Sequence, residues 1–221
     1  MTTASIPQPD TGSEKSKFPK LEQEFPVMHW NEVLEMVANK PRLTIAEIGA
    51  EVPLKEYLED IHPDYIRKYG IDSVYLQNTL GANLIAVNKY PQQLEPLKDY
   101  GIERRLIADQ EKLPLSGQSV DVAFSANTLS MADDVSRAIK ELARIIKPDG
   151  KVIISADYFE ESDDIEEDLK YKQLLRTINN CGLEIVRQQV VNIPEKHWRD
   201  SVRMNNPYVI IEATPALTQK A

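Results

Sequence analysis

Two rhythms of apolar residues alternate along this chain. Short runs with little polar interruption predict strands: LTIAEIG (43–49), LIAVN (84–88), ERRLIAD (103–109), VDVAFSA (120–126) and KVIISAD (151–157). LIAVN shows no alternation, as expected of a parallel strand covered on both faces. Between these runs lie stretches with helical spacing. HWNEVLEMVAN (29–39) places Trp30, Val33, Leu34 and Val37 on one stripe, and Pro41 ends it. Pro91 opens a second helix with Leu94 and Leu97 inside, and Gly101 closes it. In the third, Asp133 or Asp134 is the N-cap, Val135, Ile139, Leu142 and Ile146 form the stripe, and KPDG (147–150) is the stop. LKYKQLLRTINN (169–180) is the fourth.

The order is that of an α/β protein, in which buried strands alternate with amphipathic helices. It changes at the end, where LEIVRQQVV (183–191) and PYVIIEAT (207–214) follow one another without a helix, predicting an antiparallel pair at one edge of the sheet. Residues 1–22, rich in Thr, Ser, Pro and charge, bury too little apolar surface to offset ordering and are expected to form a flexible tail. Residues 23–216 are expected to form a single domain, with residues 217–221 a short tail. Residues 54–80, helix-like at LKEYLEDI and then broken by Pro63 and Gly70, read as an ordered insertion.

Composition narrows the function. A chain of 221 residues has room for one α/β domain. Its net charge of -9 disfavours nucleic acid and anionic membrane surfaces as partners. The lone Cys181 excludes an intramolecular disulfide, and its place before Gly182 at a helix end favours a structural thiol over a nucleophile. His29, His62 and His197 lack metal-site spacing, so no metal is expected. With neither a membrane-length apolar run nor a targeting signature, the expectation is a soluble cytoplasmic protein. The acidic run EESDDIEED (160–168) reads as a solvated loop leading into a helix N-terminus.

The segment ADQEKLPLSGQSVDVAFSANTLSMADDVSRAIKELARIIKPDGKVIIS (108–155) resembles class I S-adenosylmethionine-dependent methyltransferases. It has their acidic residue, Leu-Pro turn, aspartate opening the fourth strand, and helix ending in Lys-Pro-x-Gly. The likeness extends over residues 28–214, weakly before residue 84. It implies a doubly wound, seven-stranded, mostly parallel sheet with a C-terminal antiparallel strand pair, S-adenosylmethionine as cofactor, and transfer of its methyl group, here to a small-molecule acceptor.

Carried onto this chain, the resemblance makes Glu47 the acidic residue ending the first strand and Gly49 the first of three alternate glycines along which cofactor and main chain approach closely. Glu51 and Pro53 stand in place of the other two. A carboxylate at Glu51 would face the cofactor's own carboxylate, and like charges repel. Pro53 is either a helix-opening proline or part of an altered loop. At the end of the second strand, where the family has an acidic residue for the ribose hydroxyls, stands Asn88; an amide oxygen can accept one such bond, and local capping of a turn is the other reading. Asp109 matches the carboxylate that accepts from the adenine amino group, with Gln110 beside it. Asn127 falls where the family lines the cofactor floor, or is a buried turn residue. Asp121 corresponds to a structural aspartate.

Methyl transfer to a good nucleophile needs alignment more than a dedicated base, and no catalytic residue is assigned. Tyr158, His197 and Trp198 are candidates for the acceptor side. A nicotinamide-linked dehydrogenase is disfavoured, since the GxGxxG loop is missing. The alternative to an enzyme is a non-catalytic member of the same fold, a binding subunit or scaffold docking a protein partner or a second copy through residues 54–80.

Overall fold

The computed structural model describes residues 42–50, 77, 81–126, 128–157, 165–191 and 208–216. The expected helix at 29–39, the insertion at 54–80 apart from Gln77, and both tails lie outside them. The described strands are β1 (Thr44–Ile48), β2 (Asn83–Asn88), β3 (Arg105–Ile107), β4 (Val120–Ala126), β5 (Ile146–Asp157), β6 (Leu183–Val191) and β7 (Tyr208–Pro215). They form one seven-stranded sheet in the order β3-β2-β1-β4-β5-β7-β6. The pairs from β3 across to β5 are parallel, and β7 lies antiparallel between β5 and β6. This is the fold class expected from the sequence. The terminal pair is there too, with the later strand inside and the earlier one at the edge.

From β1 the chain steps outward to β2 and β3, then returns to β1's other side with β4. Right-handed crossovers in opposite directions put their helices on opposite faces. The reversal opens a crevice at the carboxyl ends of β1 and β4, where ligands bind in open α/β sheets. The strands beneath that crevice are packed mainly through apolar side chains: Ile45, Ala46, Ile85, Val87, Val122, Phe124 and Ile154 are all buried.

Helix α1 (Pro91–Leu94) gives way after one turn to a 3₁₀ helix, Glu95–Tyr100. The sequence has a cause in Pro96, which lacks the N–H for an α-helical bond and crowds the preceding turn. Gly101 then caps the end in the left-handed conformation, as expected, and its carbonyl accepts from Gln77 Nε2 at 2.8 Å. Helix α2 (Val135–Ile145) begins at Asp134, whose side chain accepts from Arg137 N–H, and buries Ala138, Ile139, Leu142 and Ile145. It packs on β4, β5 and α3 (Ile165–Asn180), which also packs against β6.

The expected stop at KPDG takes a different form. Pairing passes from Val120 opposite Ile146 to Val122 opposite Lys151, so residues 147–150 form an irregularity within β5 rather than a turn before it. The start of β4 shapes this. A Cβ on Gly150 would come within 2.7 Å of the Asp121 carbonyl oxygen, so no side chain fits there. The Asp121 carboxylate accepts from Thr44 N–H and from Lys147 Nζ, each at 2.9 Å, tying the openings of β1, β4 and β5. Asp121 is thus structural, as expected. Its buried carboxylate holds a charged partner and a main-chain donor, so Asp121→Ala should cost about 2–3 kcal/mol. Urea unfolding measures this, and a loss within error of zero would refute the role.

Candidate functional site

At the carboxyl ends of β1 to β4 lies a cavity of about 180 Å³ whose walls include Ile48, Gly49, Asn88, Lys89, Tyr90, Asp109, Gln110, Thr128 and Met131. Its shape begins with the turn after β1. Gly49 has φ +86°, and the N–H groups of Gly49 and Ala50 both donate to the Val87 carbonyl, at 2.8 and 3.0 Å. A Cβ on Gly49 would lie 2.0 Å from Thr128 Cγ2. The glycine expected from close approach of a cofactor is therefore also demanded by the protein's own threonine. Glu47 is buried one residue below the wall, level with Ala86 of β2 and Phe124 of β4.

Asn88 grips the same turn. Its Nδ2 donates to the Ala50 carbonyl at 2.9 Å, and its Oδ1 accepts from Tyr90 N–H at 2.9 Å. Of the two roles left open by the sequence, the local turn is the one these bonds make; Oδ1 keeps a second lone pair. Asp109 stands past the end of β3, with Oδ1 accepting from Glu111 N–H at 3.0 Å and Oδ2 facing Lys89 Nζ at 3.2 Å. The Glu111 hydrogen bond first, and then Lys89, hold its carboxyl below the usual range against the opposing effect of partial burial. Asp109 in turn raises Lys89. Both side chains are well exposed, so this pair orients more than it stabilises. Gln110 donates from Nε2 to the Thr128 carbonyl at 3.0 Å, while its buried Oε1 has no hydrogen-bond partner among the described residues.

Asn127, Glu51, Pro53, Tyr158, His197 and Trp198 lie outside the described residues. Wall residues that sequence reasoning passed over include Lys89, Tyr90, Glu111, Thr128 and Met131. Tyr90 and Met131 are large apolar side chains left 42% and 67% exposed at the rim. Spacing gives little sign of them. Thr128 meets Gly49 across 79 positions of chain, a contact that sequence periodicity does not encode.

Beside this cavity opens a larger one, of about 1030 Å³, between the end of β5 (Ser155, Ala156), the first turn of α2 and the α3 residues Tyr171 and Leu174. Glu111 and Asp133 line both. Glu111 is fixed there, accepting from Asp134 N–H at 2.8 Å and pairing with Arg137 at 3.3 Å. Carboxylates outnumber bases around the smaller cavity, with Asp109, Glu111 and Asp133 against Lys89. Cys181 is half-buried near the Ser136 carbonyl, and burial pushes its thiol up, away from nucleophilic use.

Residues 69–154 match the methyltransferase domain family. Among curated proteins, the chain is 33% identical over 135 residues to a highly reducing polyketide synthase of Aspergillus nomiae, covering 56% of this chain and 5% of that protein. It is 30% identical over 130 residues to a sterol 4-C-methyltransferase of Caenorhabditis elegans, covering 54% and 38%. The chain thus spans less than two fifths of the length of these relatives. Among solved structures, a SAM-dependent methyltransferase from Methanosarcina mazei superposes with a TM-score of 0.60 at 14% identity, covering 82% of this chain and 97% of that one. At that identity the likeness is one of fold.

The Gly49 contact makes a direct prediction. Gly49→Ala combines a left-handed backbone, costing about 1–2 kcal/mol, with a steric clash against Thr128. Thermal unfolding should register a loss larger than the backbone cost alone. Pairing it with Thr128→Ser, which removes the clashing methyl, should recover part; strictly additive losses would contradict the contact.

Proposed function

We propose that the chain is a class I S-adenosylmethionine-dependent methyltransferase, in keeping with the family match over residues 69–154 and the shared fold, that the cavity at the ends of β1 to β4 binds S-adenosylmethionine and that the larger cavity beside it receives a small-molecule methyl acceptor. When bound, the cofactor supplies a methyl group activated by a sulfonium. The observation that carries this reading is Asp109, a carboxylate kept ionised by the Glu111 N–H and Lys89 at the cavity wall. An ionised acceptor there suits the amino edge of adenine. The rim side chains of Tyr90 and Met131 can cover the faces of a flat ring. The surplus of carboxylates suits a ligand with a cationic centre. Asn88 contributes at most its remaining lone pair to a ribose hydroxyl.

Beyond binding, the chain's part is to align and to exclude water. The shared wall of Glu111, braced by Asp134 N–H and Arg137, fixes one cavity relative to the other. Ser155, Ala156, Tyr171 and Leu174 give the larger cavity mixed polar and apolar walls, suited to an uncharged amphipathic acceptor.

A second reading has one observation in its favour. Asn88 spends its amide on the Ala50 carbonyl and Tyr90 N–H, which weakens any hold on ribose. On that reading the protein is a non-catalytic binding subunit or scaffold, with residues 54–80 meeting a protein partner or a second copy. Calorimetry separates the two. The enzyme reading predicts binding of S-adenosylmethionine and S-adenosylhomocysteine, about tenfold weaker in Asp109→Ala; no heat at millimolar ligand leaves the second reading. Because the folded Asp109 carboxyl titrates below its usual range, its contribution is fully present above that range and is lost as pH falls through the lowered value. Affinity should therefore hold steady from neutral pH to about pH 5. A loss centred near pH 6 would assign the contact to another group.

A further inference from the structure

We propose that Thr128 is a positioning residue for the smaller cavity, holding three of its walls from a single site; this rests on the reading that the cavity binds S-adenosylmethionine. Its Oγ1 donates to the Ile48 carbonyl at 3.1 Å and shares a hydrogen bond with Ser125 Oγ at 2.7 Å. Its Cγ2 occupies the space where a Cβ of Gly49 would stand. Its carbonyl accepts from Gln110 Nε2 at 3.0 Å and from Met131 N–H at 3.0 Å.

These contacts reach three walls, at Ile48–Gly49, Gln110 and Met131. The hydroxyl and methyl fix the turn that leaves β1, where a ligand would lie against main chain. The carbonyl fixes Gln110 beside Asp109 and starts the 3₁₀ turn Leu129–Met131 that sets Met131 at the rim. A β-branched residue suits this task, since χ1 has few options and the hydroxyl and methyl are delivered together. Valine has the same shape and cannot donate, so Thr128→Val would leave the Ile48 carbonyl without this donor while the methyl contact to Gly49 stays. Thr128→Ser keeps the donor and drops the methyl.

The test uses the full chain at a temperature where all variants are folded by circular dichroism. S-adenosylhomocysteine affinity is measured by calorimetry beside amide hydrogen exchange at Gly49 and Ala50. Thr128→Val should bind about tenfold more weakly, the equivalent of one lost hydrogen bond, with faster exchange at both amides, and Thr128→Ser should restore affinity to within about threefold. Wild-type affinity in Thr128→Val, or equal losses in Val and Ser, would overturn the proposal. If the wild-type chain binds no S-adenosylhomocysteine, the cofactor reading fails separately. Exchange then decides: unchanged protection in Thr128→Val overturns the anchoring role, and faster exchange upholds it for whatever ligand the cavity takes.

Discussion

The site depends on a turn of three residues, Ile48 to Ala50, in which the chain leaves β1 with a left-handed backbone and must be held there by its neighbours. A free turn of this kind would fray. From one side Val87 accepts both N–H groups of the turn and Asn88 donates to its last carbonyl; from the other Thr128 bonds the Ile48 carbonyl and packs on Gly49. The grip is available because β1 lies between β2 and β4 in the sheet, with strand ends level by register. Sheet order thus becomes cavity shape.

The same constraint explains the amide at the end of β2. A position that must donate to the Ala50 carbonyl and accept from Tyr90 N–H calls for a side chain with both capacities. A carboxylate has only acceptors and would face the carbonyl with charge. The asparagine and Gly49 thus serve one arrangement, in which protein groups hold the turn that leaves β1 from both sides.

Most of the fold was legible because its signals are local. The runs at 120–126 and 183–191 coincide with β4 and β6, and the Asp134 cap fixes the start of α2. Legibility failed where a distant contact overrides a local signal. KPDG reads as a stop, yet Asp121 draws Lys147 into line with β5. ERRLIAD reads as a full strand, yet among the described residues only Arg105–Ile107 pair, with the end of β2. The candidate site was half legible. Strand ends placed Gly49, Asn88, Asp109 and Gln110 together, but Thr128, whose role comes from contacts with the distant turn that leaves β1, leaves no periodic trace.

The central claim is that the amide of Asn88 serves the turn before it serves any ligand, and Asn88→Asp tests it most directly, with thermal unfolding and S-adenosylhomocysteine calorimetry on the same protein. The account predicts a less stable protein, by about 1–3 kcal/mol for the lost donor and the unmatched buried carbonyl, and no gain in affinity. A variant as stable as the wild type that binds the ligand more tightly would contradict it, and would make Asn88 a weakened ribose contact instead.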